Sequence, residues 1–385
     1  MPSTPGSERS VKKPSRSILH PFQVSAFRLR RHRLAGTDQT DVAGICRSVC
    51  GVQAQVMSAA QMALWTRKRD LTRAEIHSEL WERRTLVKTS CMRGTLHLLA
   101  ASDFRLYIRA LRPGRWRQEL RIMTRYGVTE DEANRVTRAV VETLGRGPLG
   151  RRELSERALS RSNVSKKARI FFERRWWGVV RQGLVEGSVC YGPDQGKEVA
   201  MVRSDRWLPK AEDIPEEEAQ RILLRRYLSA YGPATVRDFA HWAGIAMPDA
   251  TAIWKLLAGE MAELEGEAGS ILRADRNHLA NAGAFEQLLR LLPSFDPYLL
   301  AHTDKDHLVD PRYYKRVYRN QGWISPVVLL NGRVIGVWSH ARRDHRLLVQ
   351  VELFESSSKS VRTKIEEEAA GLGEFLDAPS QVKWI

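Results

Sequence analysis

One order of elements, met three times along 385 residues, constrains this chain more than its composition does: three helices, then strands. In the first round Asp41–Cys50 carries apolar residues at helical spacing and Gly51 interrupts. Ser58–Lys68 follows, with Ala59, Met62, Ala63 and Trp65 as its expected buried face. The segment LTRAEIHSELWERRTLV is the third helix, with Thr72 and Glu75 at capping-box spacing, and it leads into the strand-like run KTSCMRGTLHLLA. The second round reads ANRVTRAVVETLGRG, LGRRELSERAL and a very basic KKARIFFERRWWGVVRQGL. VEGSVCYG and KEVAMVRSDRWL then form a two-stranded wing joined through GPDQG. The third follows the acidic break AEDIPEEE with AQRILLRRYLSAYG, ATVRDFAHWAGI and PDATAIWKLLAGEMAELEGE. Three helices followed by strands is the winged helix-turn-helix arrangement, repeated in architecture and only weakly in sequence.

Residues 290–385 differ. The short apolar runs WISPVVLL, RVIGVWSH and RLLVQVELF are separated by Asn331-Gly332 and by Ala341–His345, and Asn-Gly between apolar runs is a strong hairpin signal. VRTKIEEEAAGLGEFL is a helix, and Val382–Ile385 reads as a final strand. The expected fold class is α+β, mainly helical: three tandem winged helix-turn-helix motifs plus a C-terminal β-barrel-like domain. The expected bounds are a disordered basic tail over 1–17, winged helices over 18–128, 129–210 and 211–289, and the barrel-like domain over 290–385.

Charge points to the partner. Lys and Arg number 62 against 45 Asp and Glu, a net charge of +17, and the excess is patchy. Residues 1–35 hold eight basic residues and one acid, 105–125 hold seven arginines and one acid, and 146–184 hold eleven basic residues and three acids. Such patches are the footprint of a polyanion, bound through phosphate neutralisation and counterion release. No stretch approaches the ~20 apolar residues of a membrane span. The four cysteines (Cys46, Cys50, Cys91, Cys190) lack CxxC spacing, which fits buried free thiols in a reducing cytoplasm. Cys and His offer no metal-ligand spacing; Asp304, Asp306 and His307 cluster near one another and read as flexible side chains turned to solvent rather than a metal site. GxSxG, Walker, HExxH and dinucleotide-binding patterns are absent from the sequence.

Three segments carry the remaining chemistry. In Gly51-Val52-Gln53-Ala54-Gln55, two carboxamides at i and i+2 would diverge by about 200° on a helix, whereas an extended or turn segment sends them to one side, where both hold one water or one sugar-phosphate. The bland alternative makes them surface or capping groups. In Met92–Leu98, a strand would place Arg93, Thr95 and His97 on one polar, cationic face; alternatively Thr95 and His97 satisfy backbone groups and Arg93 pairs with a carboxylate. Asp296, before Pro297, occupies a turn-forming position.

With these residues in view, the sequence resembles the AlkZ/YcaQ family of winged-helix DNA glycosylases. The features that match are RLRRHRL, the GVQAQ turn before an Ala/Trp helix, MRGTLHLL, SFDPYLL and NGRVIGVW, and they run from about residue 24 to the C-terminus. The resemblance implies three winged helices and a β-barrel arranged as a C-shaped clamp, and removal of alkylated purines, above all N7-alkylguanine, with unhooking of interstrand crosslinks in some members. It places Gln53 and Gln55 on the catalytic Gln-x-Gln positions; Gln55, where the YcaQ branch has an acid, puts the chain in the AlkZ-like branch. Lys305 stands near an expected Arg. Together with the charge pattern, the resemblance gives the expected DNA or substrate contacts: Arg93, Thr95 and His97 near the lesion, Asp296, and Arg112, Lys166 and Lys167 from the basic stretches Arg105–Arg125 and Lys166–Arg175 on phosphates.

The chemistry agrees with this reading. Alkylation at N7 makes guanine a cationic leaving group, so placing a water beside C1′ suffices without a strong general acid. With no Schiff-base lysine in the motif, a monofunctional glycosylase without lyase activity is expected. The expected partner is double-stranded DNA bearing alkylated guanine, without cofactor, metal or membrane, for a monomer in the cytoplasm, associated with the nucleoid. The competing class is a non-catalytic transcriptional regulator built on the same winged helices. An RNA-binding protein is weaker, for want of a stacking-aromatic module.

Overall fold

Polar caps set where the helices begin, and apolar periodicity sets which faces they bury. The computed structural model describes residues 20–36, 40–175, 178–194, 196, 198–264 and 269–385. The tail expected over 1–17 lies outside the described residues.

After α1 (Pro21–Arg31), the first round comprises α2 (Val42–Ser48), β1 (Val52–Gln53), α3 (Met57–Trp65), α4 (Arg73–Trp81), β2 (Leu86–Ser90) and β3 (Leu96–Ala100). Thr72 and Glu75 form the expected capping box at the start of α4. The sheet order is β1-β3-β2, antiparallel throughout, with Gln53 opposite His97. The 22-residue α5 (Phe104–Arg125) then leads to α6 (Glu130–Thr143), β4 (Leu149–Gly150), α7 (Arg151–Arg161), α8 (Lys166–Arg174), α9 (Arg181–Glu186), β5 (Val189–Tyr191) and β6 (Ala200–Arg203), with sheet order β4-β6-β5. The basic helix expected over KKARIFFERRWWGVVRQGL is broken. A Cβ at Gly178 would lie 1.8 Å from the Phe172 carbonyl oxygen, so glycine alone permits this close return of the chain.

Short α10 (Ser204–Trp207) precedes the third round: α11 (Glu216–Tyr231), α12 (Val236–Ala243), α13 (Met247–Lys255) and the hairpin β7 (Met261–Glu263) and β8 (Ser270–Leu272), with Ala234 bridging to Ser270. Each round runs helix, short extended piece, two further helices and hairpin, the second round adding α9 before its hairpin. Beyond α14 (Arg276–Ala280) come β9 (Leu289–Leu292), α15 (Tyr314–Val317), β10 (Val327–Leu330), β11 (Arg333–Arg343), β12 (Arg346–Leu353), α16 (Lys359–Phe375) and β13 (Ser380–Trp384). Asn331 and Gly332, at φ 49° and 89°, make the expected hairpin turn between β10 and β11.

The expected barrel is not closed. The five strands form an open sheet in the order β13-β12-β11-β10-β9. The physical reason lies in the return of the chain after α16: β13 adds parallel to β12 and extends the sheet instead of pairing with β9, and α16 packs against both outer strands.

The rounds share their cores. One apolar cluster draws Val87, Met92 and Leu99 from the first round, Cys190 and Val202 from the second, Tyr227, Phe239 and Trp242 from the third, and Ala301 from beyond it. A second joins Val52, Leu64, Ile76 and Leu98 of the first round to Val328, Trp338, Val349 and Ile365 of the C-terminal sheet and helix. All four cysteines are buried free thiols.

Candidate active site

Gly51 ends one helix and opens the strand that carries the glutamines. It sits at φ +92° with its N–H bonded to the Cys46 carbonyl at 2.7 Å, and a Cβ there would come within 2.6 Å of the Leu99 side chain. The chain then extends as β1 along β3. Gln53 is 7% exposed, whereas Gln55, one step past the strand in a bend, is exposed. Both side chains reach back to the same hairpin. Gln53 Oε1 accepts from Arg93 Nη2 at 3.0 Å, and Gln55 Oε1 accepts from the Leu96 backbone N–H at 3.3 Å. Because an N–H must meet an oxygen, these bonds settle the orientation of both amides. Among the described residues, neither amide nitrogen has a protein partner.

The 92–98 segment departs from the expected strand. Met92–Gly94 form a 3₁₀ turn, with Arg93 at φ 55° and Gly94 at φ 70°, and β3 starts only at Leu96. Arg93 therefore does not share a strand face with Thr95 and His97; its guanidinium reaches Gln53 from the turn. Thr95 Oγ1 donates to the Met92 carbonyl at 3.1 Å. The turn is held from two sides. Buried Arg115 of α5 donates to the Ser90 carbonyl and hydroxyl, both at 2.9 Å, and Arg93 Nη1 donates to the Trp242 carbonyl of α12 at 2.6 Å. Trp242 and Gly244 are residues around the glutamines that sequence reasoning missed, and Arg115, expected among the phosphate-neutralising arginines of 105–125, is instead buried against Ser90. Gly244 just past the α12 pattern was the available signal, since a glycine there marks a helix end.

His97 is 2% exposed, and its Nδ1 lies 3.0 Å from the Thr95 carbonyl, which can only accept. Burial first, then the Arg93 charge, pushes its pKa down to about 3, so the ring is neutral with Nδ1–H donating and Nε2 bare. Among the described residues, no carboxylate or lysine is hydrogen-bonded or ion-paired to Gln53, Gln55, Arg93 or His97.

Three buried histidines and the half-buried His307 behave alike. Burial lowers His32, His97, His302 and His307, the last to about 2, from an ordinary 6.5. A histidine protonated only when unfolded favours the unfolded state as pH falls, by up to roughly 1.4 kcal/mol per pH unit below about 6.5. Stability is therefore full above pH 6.5 and lost towards the lower folded values. Urea unfolding at pH 7.5 and pH 5 is expected to differ by on the order of 5 kcal/mol, the acid sample being weaker; equal stability at the two pH values would contradict the burial of these rings.

The other expected contacts divide. Lys166 and Lys167 are exposed at the start of α8, Arg112 is exposed on α5, and none is ion-paired to a carboxylate among the described residues. Asp296 is a correction. It is fully buried, bonded through both oxygens to Arg67 at 2.8 Å and to the Tyr298 N–H at 2.9 Å, so it cannot meet DNA; it forms the turn its place before Pro297 suggested. Lys305 is also inside, its ammonium donating to the Leu299 carbonyl at 2.9 Å over the Tyr318 ring, and burial pushes it down to about 7. Asp304 and Asp306 are exposed, the first accepting from the backbone N–H of the second at 2.8 Å.

A model of the AlkZ-like DNA glycosylase family matches residues 46–375, a span that holds both glutamines, the 92–98 segment and α12. The chain belongs to the AlkZ-like DNA glycosylase family. It is a hydrolase, and the non-catalytic regulator is set aside. This glycosylase is 33% identical over 365 residues, covering 90% of its chain and 94% of the relative, to an interstrand DNA cross-link repair glycosylase of Streptomyces sahachiroi. The solved structure of Streptomyces sahachiroi DNA glycosylase AlkZ superposes with a TM-score of 0.82 at 29% identity, covering 94% of this chain and 99% of that one. Among the described residues, no helix is long and apolar enough to cross a membrane.

Proposed function

We propose that this glycosylase hydrolyses the N-glycosidic bond of N7-alkylated purines, above all N7-alkylguanine, in duplex DNA. We extend this to unhooking interstrand crosslinks of the same chemistry, a reading supported by the relative named as an interstrand DNA cross-link repair glycosylase. The observation that carries the reading is the pair of oriented amides, bonded back to the β2-β3 hairpin, whose nitrogens have no protein partner and to which no carboxylate or lysine is bonded among the described residues. Such a site lacks the acid needed to expel an ordinary base and suits one that leaves neutral because alkylation made it cationic. Water oxygen bonds to C1′ as the C1′–N9 bond breaks; the bonding pair neutralises the purinium ring, and the water proton passes to solvent. Gln53 positions this water, and Gln55 holds the water or the C1′ region. Thr95, half-buried, faces the sugar, and His97, opposite Gln53 on β3 and almost fully buried, supports the strand from within. With no lysine in place to form a Schiff base, the strand stays intact.

The three rounds serve as winged helices of a DNA clamp closed by the C-terminal sheet, acting as a monomer in the cytoplasm on nucleoid DNA. Lys166, Lys167 and Arg112 contact phosphates. Each alanine substitution there is expected to lower the slope of log affinity against log salt by about 1 while leaving base release at saturating enzyme unchanged. Duplexes carrying N7-methylguanine, a bulky N7 adduct and an N7 crosslink, followed for abasic sites, test the main claim; wild-type protein that leaves none on any of them ends it.

A further inference from the structure

We infer that Arg93 is a positioning residue through which the third round orients the Gln53 amide, and that it does not serve as a phosphate contact. This rests on the glutamine reading above. The guanidinium is committed to protein on two sides: Nη1 to the Trp242 carbonyl at the end of α12, Nη2 to Gln53 Oε1. A carboxamide on a two-residue strand turns freely about its last torsion unless something holds it. Here one Oε1 lone pair is taken by Arg93, which leaves the Nε2 hydrogens and the second lone pair for water and sugar, in one orientation.

The strut is built to tight tolerance. Arg93 lies at φ 55°, a conformation few side chains adopt without support. Support comes from Gly244, at φ +73°, where a Cβ would fall 2.5 Å from Arg93 Cα and 2.6 Å from its backbone nitrogen. The backbone past α12 thus sits directly on the turn. Gly244 also lines a cleft of about 310 Å³ with Arg117, Arg121 and Asp249, so the contact lies at an opening between α5 and the third round. Orientation of the water-holding amide is thereby made conditional on the third round being docked against the first.

Single-turnover base release from N7-methylguanine duplex, with DNA affinity measured separately, tests this. Arg93→Ala is expected to slow release about 10²-fold while affinity stays within about threefold. Added ethylguanidinium is expected to restore part of the rate. Arg93→Lys is expected to stay slow, since one ammonium cannot occupy two Nη positions. Gly244→Ala, which removes no hydrogen-bonding group, is expected to slow release as well. Arg93→Ala with a normal rate overturns the inference. So does a loss confined to affinity, a slow rate that ethylguanidinium leaves untouched, or an Arg93→Lys variant as fast as wild type. Wild-type protein that releases no base overturns the glutamine reading itself, a separate outcome.

Discussion

Replacing Gln53 and Gln55 together by alanine is expected to lower single-turnover release of N7-methylguanine by roughly 10³-fold or more, with each single change costing about 10². DNA affinity should stay within about twofold, because the exposed lysines and arginines of α5 and α8 are untouched. The size of the loss follows from what the amides do. They are held by Arg93 and by the Leu96 N–H before substrate arrives, so in the proposed mechanism they organise water at no further cost during reaction. Gln53 is mostly buried against His97, so its truncation also opens a small void beside β3, and circular dichroism of the variant should accompany the kinetics. A double variant with full activity would show that the catalytic groups lie elsewhere in the protein.

The largest loss of stability is expected from Arg67→Ala. Arg67 and Asp296 have no exposed side-chain surface, and their two-pronged pair joins the end of α3 to the turn after β9. Removing the arginine strands a carboxylate in an apolar interior, which should cost about 3–5 kcal/mol. Asp296→Asn keeps the volume but leaves Arg67 unpaired and is expected to lose a similar amount. Urea unfolding at pH 7.5 measures both, and a loss below about 1 kcal/mol in either would contradict the geometry. Under folding conditions both variants should release base at nearly the wild-type rate per folded molecule, which separates a structural aspartate from a substrate contact. Exposed pairs such as Arg152 with Glu156 should matter little by comparison.

How much of this was legible beforehand depended on whether the signal was local. The capping box at Thr72, the Asn331-Gly332 hairpin and the free thiols are short-range features, and each stands where it was expected. Helix α5 gave no clear pattern: Pro113 lies within it, and two of its charged residues, Arg115 and Glu119, face inward. Their partners, Ser90 and Arg181, are far along the chain, so nothing nearby in sequence explains them. The Gln-x-Gln segment stood out through the family resemblance, its spacing alone fitting surface or capping glutamines as well, and the turn that bonds Gln53 departs from the expected strand because Arg93 and Gly94 take positive φ. Asp296 was assigned to substrate for a similar reason, since its arginine lies 229 positions away. The barrel failed because closure depends on where a last strand adds, a choice made between sheet edges and invisible in alternation alone.

The pooling of apolar residues among rounds has a consequence for how such a protein can be handled or rebuilt. A fragment holding one round would present to water the surfaces that Met92, Tyr227 or Val349 normally cover for a neighbour. The architecture repeats, yet no single repeat is a portable part: grafting one onto another scaffold would carry half an interior with it. A substitution in that interior is accordingly felt by neighbouring rounds, whereas one on a loop or outer face stays local.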